Sequence, residues 1–431
     1  MNVILVALFF IIATAGLANY PIYATWLMIW NGSDQSHWWK PTDYLGATNF
    51  LGKYKSIDWT KEEFIRDTIE AVKRAGIKLL ILDLTNGWVW LNQRVLLIQK
   101  LCQEMGLKIC IAENSNGDVK TFEEHCKDIW NLFAGPDAPY SSTYFRKEGK
   151  PVIVCYAIRQ WFNAYRQSEG EYRSKFHLVW ASGEDSDINK WGWQLEPWVG
   201  PMPSEDVVFV TPSVKWRNEE EFWRSSIAWL DYTFKLGLSK KPNIVVVGSF
   251  DDIAERNAWI PCDTTNCSKP MQMRDIWGRV NFNFYYRRVV EWINGSPSII
   301  EGGVVSDGCY QLVASDGKLL DIADRRGKPG TNLVLSEENS LFTRFMLYHL
   351  GGNIYRIISP NFGLALEALR EPSGSQTVHL WWNNEGDAQR WRVTRSGSFY
   401  RFVNLATGKP LSIEGQDEWK LVKIFGIRDG R

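Results

Sequence analysis

A repeat in the last third of this 431-residue chain limits its fold more than any other feature. Three segments, Tyr310–Gly317 (YQLVASDG), Tyr355–Gly363 (YRIISPNFG) and Tyr400–Gly408 (YRFVNLATG), open units whose tyrosines stand 45 residues apart. Leu320, Leu366 and Leu411 follow at matching offsets, and Phe345 and Trp391, 46 residues apart, close the first two units. Brief strands broken by Gly and Asn turns cannot bury an apolar face alone, so neighbouring units must stack to make a core. Three all-β units of this size predict a β-trefoil over residues 304–431. On the same period the third closing aromatic would fall at about position 436, so the last unit is expected to be cut short.

The chain ahead of the repeat alternates strand and helix signals. Thr60 and Glu63 have capping-box spacing before Phe64, Ile65, Ile69 and Val72 at helical intervals. Gly76 ends that helix, and Ile77–Leu84 reads as a continuous apolar strand. The pattern repeats with a helix over Asn92–Met105 and a strand at Leu107–Glu113, then with strands at Pro151–Tyr156, Phe176–Ala181, Asp206–Thr211 and Asn243–Phe250. A helix over Glu219–Phe234 separates the last two. Uninterrupted apolar strands are buried on both faces, which requires a parallel sheet covered by helices. With Tyr23–Trp30 first and an eighth strand within Ser298–Val305, the expected fold class is α/β, a (β/α)8 TIM-type barrel over residues 19–303. An open doubly wound sheet is the alternative. No glycine-rich phosphate fingerprint follows any strand, which argues against a nucleotide-binding version.

Met1–Ala18 is an apolar run ending in small residues, as in a secretory signal peptide, and no later segment is long and apolar enough to span a bilayer. The mature protein is therefore expected to be extracellular. In that compartment Cys262 and Cys267, which flank a polar loop, are expected to form a disulfide, and the sequons at Asn31, Asn266 and Asn294 to carry glycans at the surface. Lys plus Arg and Asp plus Glu both total 49, so the chain has no net basic charge with which to neutralise phosphates. Nucleic acid is thus an unsuitable partner. The 23 tryptophans point instead to glycans, because the C–H face of a sugar stacks on indole. Filling the core is the competing use for any one of them.

Active sites of parallel barrels form at the carboxyl ends of the strands. Residues placed there are Asp83, Asn86, Glu113, Asn114, Tyr156, Asp251 and Asp252, with Trp180, Trp193 and Trp259 as neighbouring aromatics. Carboxylates grouped with aromatics are what glycoside hydrolysis needs, one acid for the leaving oxygen and a second as base or nucleophile. The segment Gly248–Pro261 (GSFDDIAERNAWIP) follows the most apolar strand. It resembles the strand-end motif of glycoside hydrolase family 99 (endo-α-mannosidases and their relatives), with Ser249, Asp252, Glu255 and Pro261 on matching positions. The resemblance implies catalysis by Asp252 as base and Glu255 as acid, with retaining, endo-acting cleavage of an α-linked glycan. Asp252 stands where the family has Glu, and Asp251 where it has Asn. The structural alternative has these carboxylates capping a following helix. Neither a zinc-type His/Cys spacing nor a nucleophile elbow occurs, so no metal or organic cofactor is expected.

Gln389-Arg390-Trp391 makes a Q-x-W motif, and with the three-unit period it resembles the ricin-type lectins. The resemblance implies sugar binding through an acidic residue just after the Leu of each unit, an aromatic platform and an amide. Asp321 and Glu367 hold the acidic position, and Trp382 and Asn383 would complete the second site. Oligosaccharides or polysaccharides are the expected partners. A non-catalytic secreted lectin on a degenerate hydrolase barrel is the alternative to an active glycosidase.

Overall fold

The computed structural model describes residues 21–30, 51–86, 91–181, 191, 207–212, 227–252, 258–267, 272–295, 297, 302–325, 327–370 and 376–426. The first sheet contains β1 (Ile22–Leu27), β2 (Leu79–Asp83), β3 (Lys108–Glu113), β4 (Arg146–Lys147), β5 (Lys150–Tyr156), β6 (His177–Ala181), β7 (Val207–Val210) and β8 (Ile244–Ser249). Between and after them lie α1 (Glu62–Arg74), α2 (Asn92–Met105), α3 (Val119–Ile129), α4 (Arg159–Gln167), α5 (Ile227–Leu238) and α6 (Phe284–Ile293). The helices bury one face: α1 sends Phe64, Ile65, Ile69 and Val72 inward, each contributing roughly 1.5–3 kcal/mol on burial. Its expected capping box is not formed. The helix starts at Glu62, and the Thr60 hydroxyl is donated to Asp58 instead. α2 stops where its sequence predicts, because Gly106 turns left-handed at φ 71°.

Seven strands are parallel, in the order β6-β5-β3-β2-β1-β8-β7, and β4 forms a short antiparallel hairpin with β5. The first strand lies between the second and the last, pairing Ala24 with Leu79 on one side and with Val246 on the other. Successive strands are otherwise neighbours, which is the order of a barrel wall. No pairing joins β6 to β7 among the described residues. The eighth strand expected within Ser298–Val305 is not found at residues 302–305, and residues 298–301 lie outside the described set.

The second sheet is a β-trefoil of ten strands: β9 (Gly308–Val313), β10 (Leu319–Ile322), β11 (Leu333–Ser336), β12 (Phe345–Gly351), β13 (Ile354–Ile358), β14 (Leu364–Arg370), β15 (Gln376–Trp382), β16 (Trp391–Ser396), β17 (Phe399–Asn404) and β18 (Lys420–Gly426). Its threefold pattern is visible in the pairing. Tyr310 faces Phe345, Tyr355 faces Trp391, and Tyr400 faces Trp419. The Nε1–H of Trp391 is donated to Leu366 O and that of Trp419 to Leu411 O, both at 3.1 Å.

Trp419 is therefore the third closing aromatic, well before the position that the repeat period projected. The third unit is not cut short at its end but shortened inside. Its last strand, β18, pairs with β9 and closes the ring. Where β10–β11 and β14–β15 supply a hairpin to the other two units, the third has only a single antiparallel bridge, Ile413 to Gln416, among the described residues.

The two sheets meet through a buried polar cluster. Asp231 on α5 accepts Arg288 Nε at 2.8 Å and Nη2 at 2.7 Å, Trp292 Nε1 at 2.7 Å, and the Tyr348 hydroxyl of β12 at 2.8 Å. A carboxylate and a guanidinium taken out of water together are tolerated only when their lone pairs and protons are satisfied, as here. Arg344 adds a bond to the Tyr232 hydroxyl at 2.5 Å.

Candidate functional site

The exits of β2 and β8, which flank β1, each carry buried carboxylates. Asp83 ends β2 and is 4% exposed. Its Oδ2 accepts Trp30 Nε1 at 2.8 Å and its Oδ1 accepts the Thr85 N–H at 2.8 Å. Burial raises its pKa, and the bonds from Thr85 and Trp30 pull it back in part. Asp251 and Asp252 follow β8, two strand spacings from β2 across β1, or about 10 Å at ordinary sheet geometry.

Asp251 is fully buried and uses both oxygens within the protein. Oδ1 takes the Met28 N–H at 3.0 Å, Oδ2 takes Trp59 Nε1 at 2.8 Å, and the Ser249 hydroxyl lies 3.4 Å away. Burial pushes its pKa to about 6 against those donors. Asp251, expected to meet substrate, instead ties the exit of β1 to the exit of β8. Asp252 is 4% exposed. Its N–H is donated to Ser249 Oγ at 3.1 Å, and its carbonyl accepts the Ala258 N–H at 3.0 Å. Glu255, the expected acid, falls within residues 253–257, outside the described set, as does Trp193.

Several other expected ligands serve the scaffold. Glu113 is completely buried, and its Oε2 accepts Ser115 Oγ at 2.6 Å and faces His125 Nδ1 at 3.1 Å. Because His125 belongs to α3, the Glu113 side chain is tied to the helix layer. Asn114 accepts the Asn116 N–H at 2.9 Å and shapes a turn. Tyr156 ends β5 partly buried, and Asn86 is exposed just past β2. Trp180, next to last in β6, donates its Nε1–H to Ala157 O just past β5 at 2.7 Å and stacks on Phe162 of α4 at 5.8 Å with Arg159 over its ring, so its indole is packed against α4. Trp259 has no exposed surface. It packs edge-on against Phe250 at 4.7 Å, so it is a core residue and not a sugar platform. The Cys262–Cys267 disulfide is not formed: both side chains are buried and no cystine is present among the described residues. Cys262 Sγ is directed at Met273 Sδ, 3.8 Å away. Asn266 and Asn294 are exposed, and Asn31 lies outside the described residues.

The trefoil units differ in what surrounds the acidic position. In the second unit Glu367 Oε2 accepts Gln389 Nε2 at 2.8 Å and Asn384 Nδ2 at 3.2 Å. Its Oε1 faces His379 Nε2 at 3.7 Å, a nitrogen that is buried beyond hydrogen-bond distance of any partner. Burial would raise the Glu367 pKa, but the side chains of His379, Gln389 and Asn384 outweigh it and hold the group below its usual value. Trp382, partly buried, offers its carbonyl to Gln389 and Asn384.

Asn383, expected to be the sugar-binding amide, is occupied elsewhere. Its Oδ1 accepts Arg356, and its Nδ2 is donated to Asp275 O at 3.0 Å across the junction with the first sheet. Asn384 takes the place expected of it, a shift of one residue that motif spacing does not resolve. In the first unit Asp321 accepts the Ile322 N–H at 2.7 Å and has Arg325 3.6 Å away, itself paired with Glu338. The third unit has Ser412 at this position, followed by a single antiparallel bridge from Ile413 to Gln416. Among the three units only the second has, among the described residues, a glutamine amide bonded to the acidic residue after the leucine.

Residues 344–420 match the family model described as a ricin-type beta-trefoil lectin domain-like fold. The GH99 endo-alpha-mannosidase of Bacteroides thetaiotaomicron, solved in complex with BIS-TRIS-Propane, is similar over 63% of this chain and 96% of its own, with TM-score 0.50 and 14% identity. A second structure of that enzyme covers 64% and 97%, with TM-score 0.49 and the same identity. The designed threefold symmetric protein ThreeFoil covers 27% of this chain and 100% of its own, at 27% identity and TM-score 0.26. At 14% identity the mannosidase likeness is one of fold. No curated protein sequence matches the chain.

Proposed function

We propose that this protein is an exported glycoside hydrolase that cleaves an α-linked, mannose-containing glycan and holds it through the second unit of its trefoil. One observation carries the reading: a chain with a mannosidase-like fold, and buried carboxylates at the exits of β2 and β8, also bears a lectin-type unit whose Glu367 is held ionised among amide donors. In this reading Glu255 protonates the glycosidic oxygen and Asp252 takes a proton from the attacking hydroxyl, the two-carboxylate division of labour that glycoside hydrolysis requires. Residues 1–18 serve as the export signal.

The test is a hydrolysis panel of α-linked manno-oligosaccharides against the full-length protein, Asp252→Asn and Glu255→Gln. The reading expects turnover by wild type and a loss of at least about 100-fold in either variant, the scale of general acid–base catalysis. Wild-type rates in both variants would remove the assignment.

The second reading is a lectin without turnover. It is favoured by Asp251, whose oxygens are both spent on protein donors where a hydrolase would be expected to present them to substrate. Glycan binding by wild type with no hydrolysis of any panel member would establish it.

A further inference from the structure

A cavity of about 1010 Å³ lies away from the strand ends that carry Asp83 and Asp252. It opens beside the edges of β6 and β7 and is reached from the amino-terminal side of the sheet, since Lys150 and His177 begin β5 and β6 and Lys240 and Lys241 precede β8. Among the described residues its wall holds six cations, Lys147, Lys150, Arg166, Arg173, Lys240 and Lys241, and one carboxylate, Glu148. Glu148 faces His177 at 3.7 Å.

Among the described residues none of Lys150, Arg166, Arg173, Lys240 or Lys241 forms a side-chain ion pair with a carboxylate. Lys150 is donated to Ser174 O and Arg173 to Tyr165 O, while Arg166 lies over the Phe162 ring. In a chain with 49 residues of each charge, such a concentration around one cavity is a local arrangement and not a consequence of composition. Like charges held together repel one another, and an anion that enters relieves that repulsion. The same wall contains Phe162 and Trp180, stacked at 5.8 Å.

We propose that this cavity is a second glycan site, separate from the acid-lined face, which takes an anionic oligosaccharide bearing sulfate or uronate groups. The cations hold the anionic substituents through charge-assisted hydrogen bonds. The volume is at the upper end of what a small-molecule cleft offers, enough for a short oligomer. The cations gather around one cavity and do not run along a surface, which favours a short glycan over nucleic acid, whose binding relies on a run of phosphate contacts. The site shares no residue with the proposed hydrolytic or trefoil sites, so it stands whether or not those act as proposed.

The experiment is a calorimetric titration of the full-length protein with four probes of matched length: sulfated dextran, oligogalacturonate, neutral dextran and single-stranded DNA. Sulfated dextran or oligogalacturonate should bind at least about 10-fold more tightly than neutral dextran and lose affinity with added salt. The Lys240→Gln/Lys241→Gln double variant, on a turn whose side chains are half-buried or exposed, should weaken that binding about 5-fold or more, and Arg166→Gln should do the same. Near-ultraviolet circular dichroism checks that both variants keep the native fold. The proposal fails if neutral dextran binds as well as the anionic probes, if DNA binds more tightly than either anionic glycan, or if the folded variants bind like wild type.

Discussion

Asp251 and Glu367 are both acidic residues with little exposed surface, and both accept several hydrogen bonds, yet burial dominates one and donors dominate the other. Asp251 is bound by a backbone N–H at the exit of β1 and an indole from Trp59, donors that the fold fixes in place. They satisfy its oxygens but do not overcome desolvation, and its pKa is raised to about 6. Glu367 is bound by the side-chain amides of Gln389 and Asn384, and one oxygen faces an unsatisfied His379 nitrogen. Those side chains hold it below its usual pKa. A buried carboxylate bonded to fixed backbone and indole donors joins elements, whereas one held by side-chain amides has partners that can reorient, which is the basis of the proposed glycan contact.

The largest effect that tests this contrast is on pH-dependent stability. Asp251 has a folded pKa of about 6 against an ordinary value of 3.8. A raised carboxylate binds its proton more tightly when folded, so its contribution is complete below about pH 4 and is lost as pH rises through about 6, a total of about 3 kcal/mol. Asp251→Asn removes the titration. Urea unfolding of both proteins across that range should show wild type losing about 3 kcal/mol relative to the Asp251→Asn variant between about pH 4 and 6.5. A constant difference across the range would place the carboxylate in contact with water and break the contrast.

Glu367→Gln should act on binding and leave stability nearly alone. The new side-chain amide keeps an acceptor toward Gln389 and Asn384, so the fold should change by no more than about 1 kcal/mol. Loss of the charge should weaken glycan binding about tenfold or more, since bonds to an ionised acceptor are roughly twice as strong as neutral ones. The sign with pH is opposite to that of Asp251. A depressed carboxylate contributes above its ordinary value of 4.5 and loses that contribution only as pH falls through the lower folded pKa. Binding measured by titration should therefore persist at about pH 4.5. Glycan affinity equal in wild type and Glu367→Gln would move the site to another unit.

How far the sequence carried each region follows from the range of the contacts involved. The strands and helices of the first sheet were legible because apolar runs and 3.6-residue periodicity are local signals. Asp251 was not, because its partners Met28 and Trp59 lie 223 and 192 residues away in the chain. Trp259 stands in a strand-end motif, but its indole turns under Phe250 into the core. Proximity of Cys262 and Cys267 suggested a disulfide, and side-chain direction decided against it. The tryptophan count pointed to glycans, yet Trp26, Trp59, Trp259, Trp292, Trp391 and Trp419 are among the largest fully buried side chains, so much of that signal is core. The trefoil was legible from its period; the misplaced end of the last unit came from trusting the period through a shortened unit, and the choice of Asn383 over Asn384 from motif spacing. Asp417-Glu418-Trp419 was the available signal, a D-x-W in place of Q-x-W close after Leu411.

The smallest effect tests that last equivalence. If Trp419 fills the role of Trp391, the two indoles do the same work, each filling the core opposite a tyrosine and donating one bond at 3.1 Å to the carbonyl of the unit's leucine. Trp391→Phe and Trp419→Phe then each remove one N–H···O=C bond and a similar ring volume, and each should cost about 1–2 kcal/mol. The comparison within the pair is more informative than either value, because uncertainties in the unfolded state largely cancel between two such similar substitutions. Equal shifts in the urea midpoint would give the short third unit the same closing aromatic as the second. A Trp419→Phe cost near zero beside a normal one for Trp391→Phe would mean that β18 closes the ring by backbone pairing alone, with its aromatic a bystander.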